Sequence, residues 1–108
     1  MKLLPERRAI TSFGDGGFRF GDHSHRGHIL VLPSGMRDWD GEDFTELKAE
    51  QDAIDFFILG TGTQLVRSAL KLSPAVQFDA MTTSAAIHSY NYMLAEGRRV
   101  AAAFIAVP

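Results

Sequence analysis

The run Ile54-Asp55-Phe56-Phe57-Ile58-Leu59 is almost wholly apolar and stops at Gly60-Thr61-Gly62. Six residues are too few for a stable helix and suit a strand through a core, with the glycines as its turn. A second dense run, Gly27-His28-Ile29-Leu30-Val31-Leu32, ends at Pro33-Ser34-Gly35 and reads as a strand buried on both faces. Strands of this kind need cover on each side, so the segments between them decide the fold.

Those segments carry helical patterns. Residues 84–96 place Ile87, Tyr90, Met93 and Leu94 at helical spacing, widened by Ala86. Thr83 or Ser84 offers a cap at the start, and Gly97 a stop. A weaker stripe, Phe44 and Leu47, follows Asp40, read as the N-cap of a helix through GEDFTELKAE. Residues 64–72 have room for about two helical turns. Val76 to Met81 alternate like a strand, and the apolar run 100–107 reads as the last strand. Upstream, Gly14-Asp15-Gly16-Gly17 suits a hairpin turn, and Phe18 and Phe20 flank Arg19 in the period of a strand with one wet face. Met36 to Trp39 suggests a short edge strand. The expected fold is α/β, with a mixed β-sheet, an N-terminal β-hairpin and helices on both faces. Crossover connections make the second half of the sheet parallel. The 108 residues suit one compact domain, 1–108.

Composition narrows function. Hydrophobic residues make up 45% and charged residues 22%, values of a folded globular chain. The net charge of −2 gives no electrostatic reason to expect nucleic acid. With no cysteine, disulfides and thiol chemistry are excluded. The apolar stretches near either end fall short of a signal peptide or a membrane span. The expectation is a cytoplasmic protein without direct membrane insertion.

The chemistry-bearing motifs are sparse. Gly60-Thr61-Gly62 lacks the third glycine of a dinucleotide fingerprint and the Lys-Ser/Thr of a P-loop, so it reads as a turn. Ligands in open α/β sheets bind beyond the carboxyl ends of strands. Gly60, Thr61 and Gly62, with Thr82, Thr83, Ser84 and His88 at the start of the last helix, therefore form a candidate ligand crevice if the fold brings them together. His23, His25 and His28 fall within six residues. His28 has the wrong parity to join the other two on one strand face, and only Asp22 stands near as a further ligand. The three read as polar residues of a loop, and no metal or cofactor is expected. His88-Ser89 are helix neighbours pointing about 100° apart, which excludes a nucleophile–base pair. No catalytic residue stands out. Trp39 and Tyr92 are candidates for an exposed interaction surface.

Four stretches together carry a family likeness: Gly16-Gly17-Phe18-Arg19-Phe20-Gly21, Gly27 to Pro33, Phe57 to Gly62, and Ser89-Tyr90-Asn91-Tyr92-Met93-Leu94-Ala95-Glu96-Gly97-Arg98-Arg99-Val100. In this order they resemble the family of the mitochondrial respiratory complex I assembly factor three and the adipogenesis-associated single-domain protein, which has many bacterial and archaeal members. The resemblance implies one mixed-sheet domain with helices on both sides. It carries over no catalytic residues. It implies a non-enzymatic accessory role through protein–protein contact, with a membrane-complex subunit or an export component as partner and self-association as a further option. The alternative is a small-molecule binder or enzyme using the Gly60–Gly62 crevice. The chain departs from the family pattern at His88-Ser89, where Arg-Thr is common, at Thr82, where Asp is usual, and at Ser84, where Gly is common. Loss of that permanent cation weakens an anion site near the crevice.

Overall fold

The computed structural model describes residues 2–63 and 78–108. The expected helix over 64–72 and the first two residues of the strand expected from Val76 lie outside them. Nine strands, two α-helices and one 3-10 turn follow among the described residues: β1 Lys2–Leu4, β2 Ser12–Gly14, β3 Gly17–Phe20, β4 His23–Arg26, β5 His28–Leu32, β6 Gly35–Trp39, α1 Thr45–Ala49, the turn Gln51–Ala53, β7 Phe56–Gly60, β8 Phe78–Met81, α2 Thr83–Ala95 and β9 Val100–Phe104.

Six strands form one sheet in the order β1-β6-β5-β9-β7-β8. The β1–β6, β5–β6 and β5–β9 pairings are antiparallel, and β7 runs parallel to both β9 and β8. The sheet is mixed, as expected, but its antiparallel half comes from β1, β5 and β6. The N-terminal hairpin does not extend it. Instead β2, β3 and β4 make a separate three-stranded sheet. The hairpin turn itself follows from its residues: Asp15 and Gly16 have φ of 53° and 78°, the left-handed pair that a tight two-residue turn requires.

Alternation along the strands splits the core in two. On one face Ile29, Val31, Ile58, Ala102 and Phe104 pack beneath Ala86, Ile87 and Tyr90 of α2, with Phe18 and Phe20 of the small sheet closing the side. On the other, Leu30, Leu32, Phe57, Leu59, Ala101 and Ala103 meet Leu47 of α1 and Trp39. Helices therefore cover both faces. Every residue of β9 is buried, and this strand, with β5, takes the sheet centre. The Phe56–Gly60 strand is interior but one place further out, because among the described residues β8 alone lies beyond it.

Several local expectations are corrected. Met36 to Trp39 is not an edge strand, since β1 pairs outside it. The Asp40 carboxylate accepts from the N–H groups of Glu42 and Asp43, both at 2.8 Å, and so caps a turn rather than a helix. Those two bonds hold its carboxyl below the ordinary carboxylate value. Asp43 then accepts from the Thr45 N–H at 2.9 Å, where α1 begins. His23 and His25 are not in a loop but in β4, opposite Phe20 and Phe18.

Candidate functional site

The Gly60–Gly62 turn and the start of α2 do meet. Gly60 closes β7, and a Cβ added there would come within 3.0 Å of the Thr83 Cα and 3.1 Å of a Phe104 ring carbon. The missing side chain is what lets α2 seat on the sheet. Gly62, at φ 95°, turns the chain so that its carbonyl accepts the Thr83 N–H at 2.9 Å. Thr83 is wholly buried. Its hydroxyl accepts from the Gly62 N–H at 2.9 Å and donates to the Ile105 carbonyl at 2.7 Å. The Ile105 N–H returns to the Gly60 carbonyl at 2.9 Å, and the Thr61 N–H reaches the Met81 carbonyl at 2.8 Å.

The crevice residues thus form a closed hydrogen-bond circuit joining β7, α2 and the chain after β9. The Thr61 and Gly62 N–H groups, the natural donors to an anion, are donated within the protein. Thr82 caps α2 through a 3.4 Å bond from the Ala85 N–H. Ser84 and His88 stay exposed on the outer side of the helix.

The two surface aromatics part company. Trp39 is only 6% exposed, and its indole N–H donates to the Asp43 carbonyl at 2.7 Å. Its ring packs against Phe44 with centroids 5.4 Å apart. Trp39 is therefore a core residue and not part of a surface. Tyr92 is 66% exposed. Its neighbours Tyr90 and Asn91 face inward and hold the N-terminal segment: the Tyr90 hydroxyl donates to the Arg8 carbonyl at 2.7 Å, and Asn91 bonds both main-chain groups of Ile10 at 2.8 Å.

Among the described residues no three histidine or acidic side chains converge on a metal-sized space. The His25 Nε2 lies 3.1 Å from the His28 carbonyl and 3.0 Å from an Asp38 carboxylate oxygen. The His28 Nδ1 accepts the Ala106 N–H at 2.9 Å, which ties β5 to the chain after β9.

An open concavity of about 340 Å³ lies over the small sheet, on a face that sequence reasoning did not single out. Register explains its lining. Ser12, Arg19 and Ser24 lie directly opposite one another across β2, β3 and β4, and Gly14, Gly17 and Arg26 form the next row. Residues in register share a face, and alternate residues do too, so these six look outward while Phe18 and Phe20 look in. Gly17 is bare because a Cβ there would lie 2.4 Å from the His25 carbonyl oxygen. The Arg26 guanidinium is steadied by a 3.0 Å bond to the Asp15 carbonyl. The Arg19 guanidinium makes no hydrogen bond or ion pair among the described residues. Phe13, 40% exposed, lies at the rim, but it pairs with Phe18 and so belongs to the other face of β2. The signal in the sequence was the Phe18-Arg19-Phe20 alternation, which puts Arg19 on the wet side; the pairing partners that make it a site are not local.

Comparison with known proteins gives the family. The chain is 31% identical over 105 residues to an uncharacterised protein of Rhodobacter capsulatus, covering 92% of this chain and 85% of the relative. A crystal structure of an outer membrane protein from Bartonella henselae is 35% identical, with a TM-score of 0.88 and coverage of 98% of this chain and 100% of that one. The NMR structure of the Rpa2829 protein from Rhodopseudomonas palustris is 36% identical, with a TM-score of 0.78 and coverage of 100% and 90%. The profile of a family of proteins of unknown function, DUF498/DUF598, matches residues 10–105, nearly the whole of the described fold, and the chain belongs to that family.

Proposed function

We propose that the domain is a non-enzymatic binding module that acts through protein–protein contact in the assembly of a membrane complex. The observation that carries this reading is a division of labour among the polar residues. Those at the β7 end make internal bonds, whereas on the outer face of the small sheet Arg19 makes no hydrogen bond or ion pair among the described residues and lines a concavity. Arginine is enriched in protein interfaces and among the residues that carry their binding energy. Resemblance to the family of the respiratory complex I assembly factor supports an assembly role. The similar Bartonella henselae structure, described as an outer membrane protein, supports a membrane setting. Among the described residues no helix is long and apolar enough to cross a membrane. We take the cytoplasmic side as the place where the domain meets its partner.

The alternative is a small molecule bound beyond the Gly60–Gly62 turn. It draws less support, because a ligand there would compete with bonds of 2.7 to 2.9 Å already made by buried groups.

Mild crosslinking of the tagged protein in its own cells, membranes included, followed by mass spectrometry, tests the proposal. Reproducible recovery of subunits of one membrane complex is the expected result. Recovery of the protein alone, or its absence from every membrane-associated fraction, would overturn it.

A further inference from the structure

We infer that the outer face of the small sheet binds an extended acidic segment of the partner protein, with carboxylates at alternate positions. The inference rests on the binding-module reading and names the chemistry of its partner. Three observations lead to it.

The first is charge. Arg19 and Arg26 line the concavity with Asp15 as the only carboxylate among the lining residues. The chain as a whole carries a net charge of −2, so this cationic face runs against the overall balance. An arginine fork donates two parallel N–H bonds to a carboxylate, and Ser12 and Ser24 add hydroxyl donors in the row of Arg19.

The second is spacing. Arg26 stands opposite Gly17, two residues along β3 from Arg19, so the two arginines are diagonal neighbours on adjacent strands. Such neighbours lie about 7–8 Å apart. An extended peptide advances roughly 3.3 Å per residue and turns alternate side chains to one side. Two acids separated by one residue therefore advance about 7 Å, close to the backbone spacing of the two arginines.

The third is the floor. Gly14, in the row of Arg26, carries no side chain and has open space where a Cβ would lie, so a backbone can approach the sheet there.

The test uses a fluorescein-labelled peptide of alternating Glu and Ala, its Gln-for-Glu counterpart, and glutarate as a free dicarboxylate. Anisotropy is read at about 20 mM and about 300 mM salt, where screening differs strongly. The expected result is saturable binding of the Glu peptide only, weakened by salt and by about threefold to fivefold in each of Arg19→Gln and Arg26→Gln. Both arginines are exposed, so the variants should fold, and an unchanged circular dichroism spectrum checks this. Equal binding of both peptides, or no loss in the variants, overturns the inference. Binding of glutarate without the peptide overturns it in favour of a free small anion.

This chain carries the same alternation at Asp38, Asp40 and Glu42. Concentration-dependent self-association lost in Arg19→Gln would therefore replace the foreign segment with a second copy. The doubly substituted protein is also crosslinked in cells. Continued recovery of the membrane-complex subunits with failed peptide binding sinks this site while sparing the binding-module reading. Failure of both recovery and peptide binding in the native protein sinks both.

Discussion

Asn91 and Ile10 are 81 residues apart in the chain, yet the Asn91 side-chain amide satisfies both main-chain groups of Ile10, each at 2.8 Å. A side-chain amide has the donor and acceptor geometry of a peptide group, so Asn91 acts as a one-residue strand partner displayed on a helix. It is the polar half of a clamp whose other half is the Tyr90 hydroxyl on the Arg8 carbonyl. Ile10 itself is buried, so the segment leading into β2 is held by both apolar and polar contacts.

Asn91→Ala leaves the two Ile10 groups without their partner. The expected cost is about 1–3 kcal/mol, part of it relieved by water because Asn91 is only partly buried. Native-state hydrogen exchange gives the sharper readout. The Ile10 amide should lose protection while those of β5 and β9 keep theirs. Equal loss throughout the sheet would show that the clamp is not local.

Thr83 makes a complementary case inside the core. Thr83→Val keeps the shape and removes the hydroxyl, leaving the Gly62 N–H and the Ile105 carbonyl unpaired. The expected destabilisation is about 2–4 kcal/mol by urea unfolding, and Thr83→Ser should recover much of it. A cost below about 0.5 kcal/mol would mean that the circuit is readily replaced by water.

Gly60→Ala tests the close approach of α2 to β7. The added methyl meets the Thr83 main chain and the Phe104 ring rather than a flexible side-chain tip, so it has little room to be accommodated. Overpacking of this kind costs about 1–3 kcal/mol. Phe57→Ala, on the opposite face of the sheet, should cost about 3–5 kcal/mol because the ring is 1% exposed. Equal or greater stability of Gly60→Ala would refute the packing role given to that glycine.

These sites show why some of the molecule could be read from its residues and some could not. The hairpin turn, the apolar strands and α2 are local matters. Asp15-Gly16 takes left-handed φ readily, and Ala86, Ile87 and Tyr90 repeat at helical spacing. β4 escaped because His23-Ser24-His25-Arg26 has no apolar alternation. It is a strand because β3 pairs with it and because the His23 ring stacks on Phe20 at 6.1 Å. β1 escaped because Lys2-Leu3-Leu4 is short and followed by Pro5. The separation of the hairpin into its own sheet depends on contacts with the far end of the chain, such as the Gly16 N–H on the Val107 carbonyl at 2.7 Å. The adjacency of Gly60–Gly62 with Thr83 was conditional in the sequence. What no sequence pattern disclosed is that Thr83 turns its hydroxyl inward, spending the turn's donors. Nothing local to Asn91 discloses that its partner is Ile10, 81 residues away.

Tyr90 ties the core to pH. The ring is fully buried between α2 and the sheet, edge-on to Phe104 at 5.6 Å, and burial pushes its phenol well above the ordinary value near 10. The Arg7 charge opposes that rise but is the smaller effect. The folded value therefore exceeds the unfolded one. The folded state keeps its proton in a range where the unfolded chain releases it, so stability is fully present below about pH 10 and falls as pH rises above it. The slope approaches about 1.4 kcal/mol per pH unit from this group alone. Tyr90→Phe removes the titration along with the bond to Arg8. At neutral pH it should be less stable by about 1–2 kcal/mol, the loss of one buried hydrogen bond. Between about pH 10 and 11.5 its urea midpoint should fall less steeply than that of the native protein, so the two curves converge. Parallel curves over that range would mean that Tyr90 ionises in the folded protein as readily as in the unfolded chain, and that burial does not keep the phenol protonated.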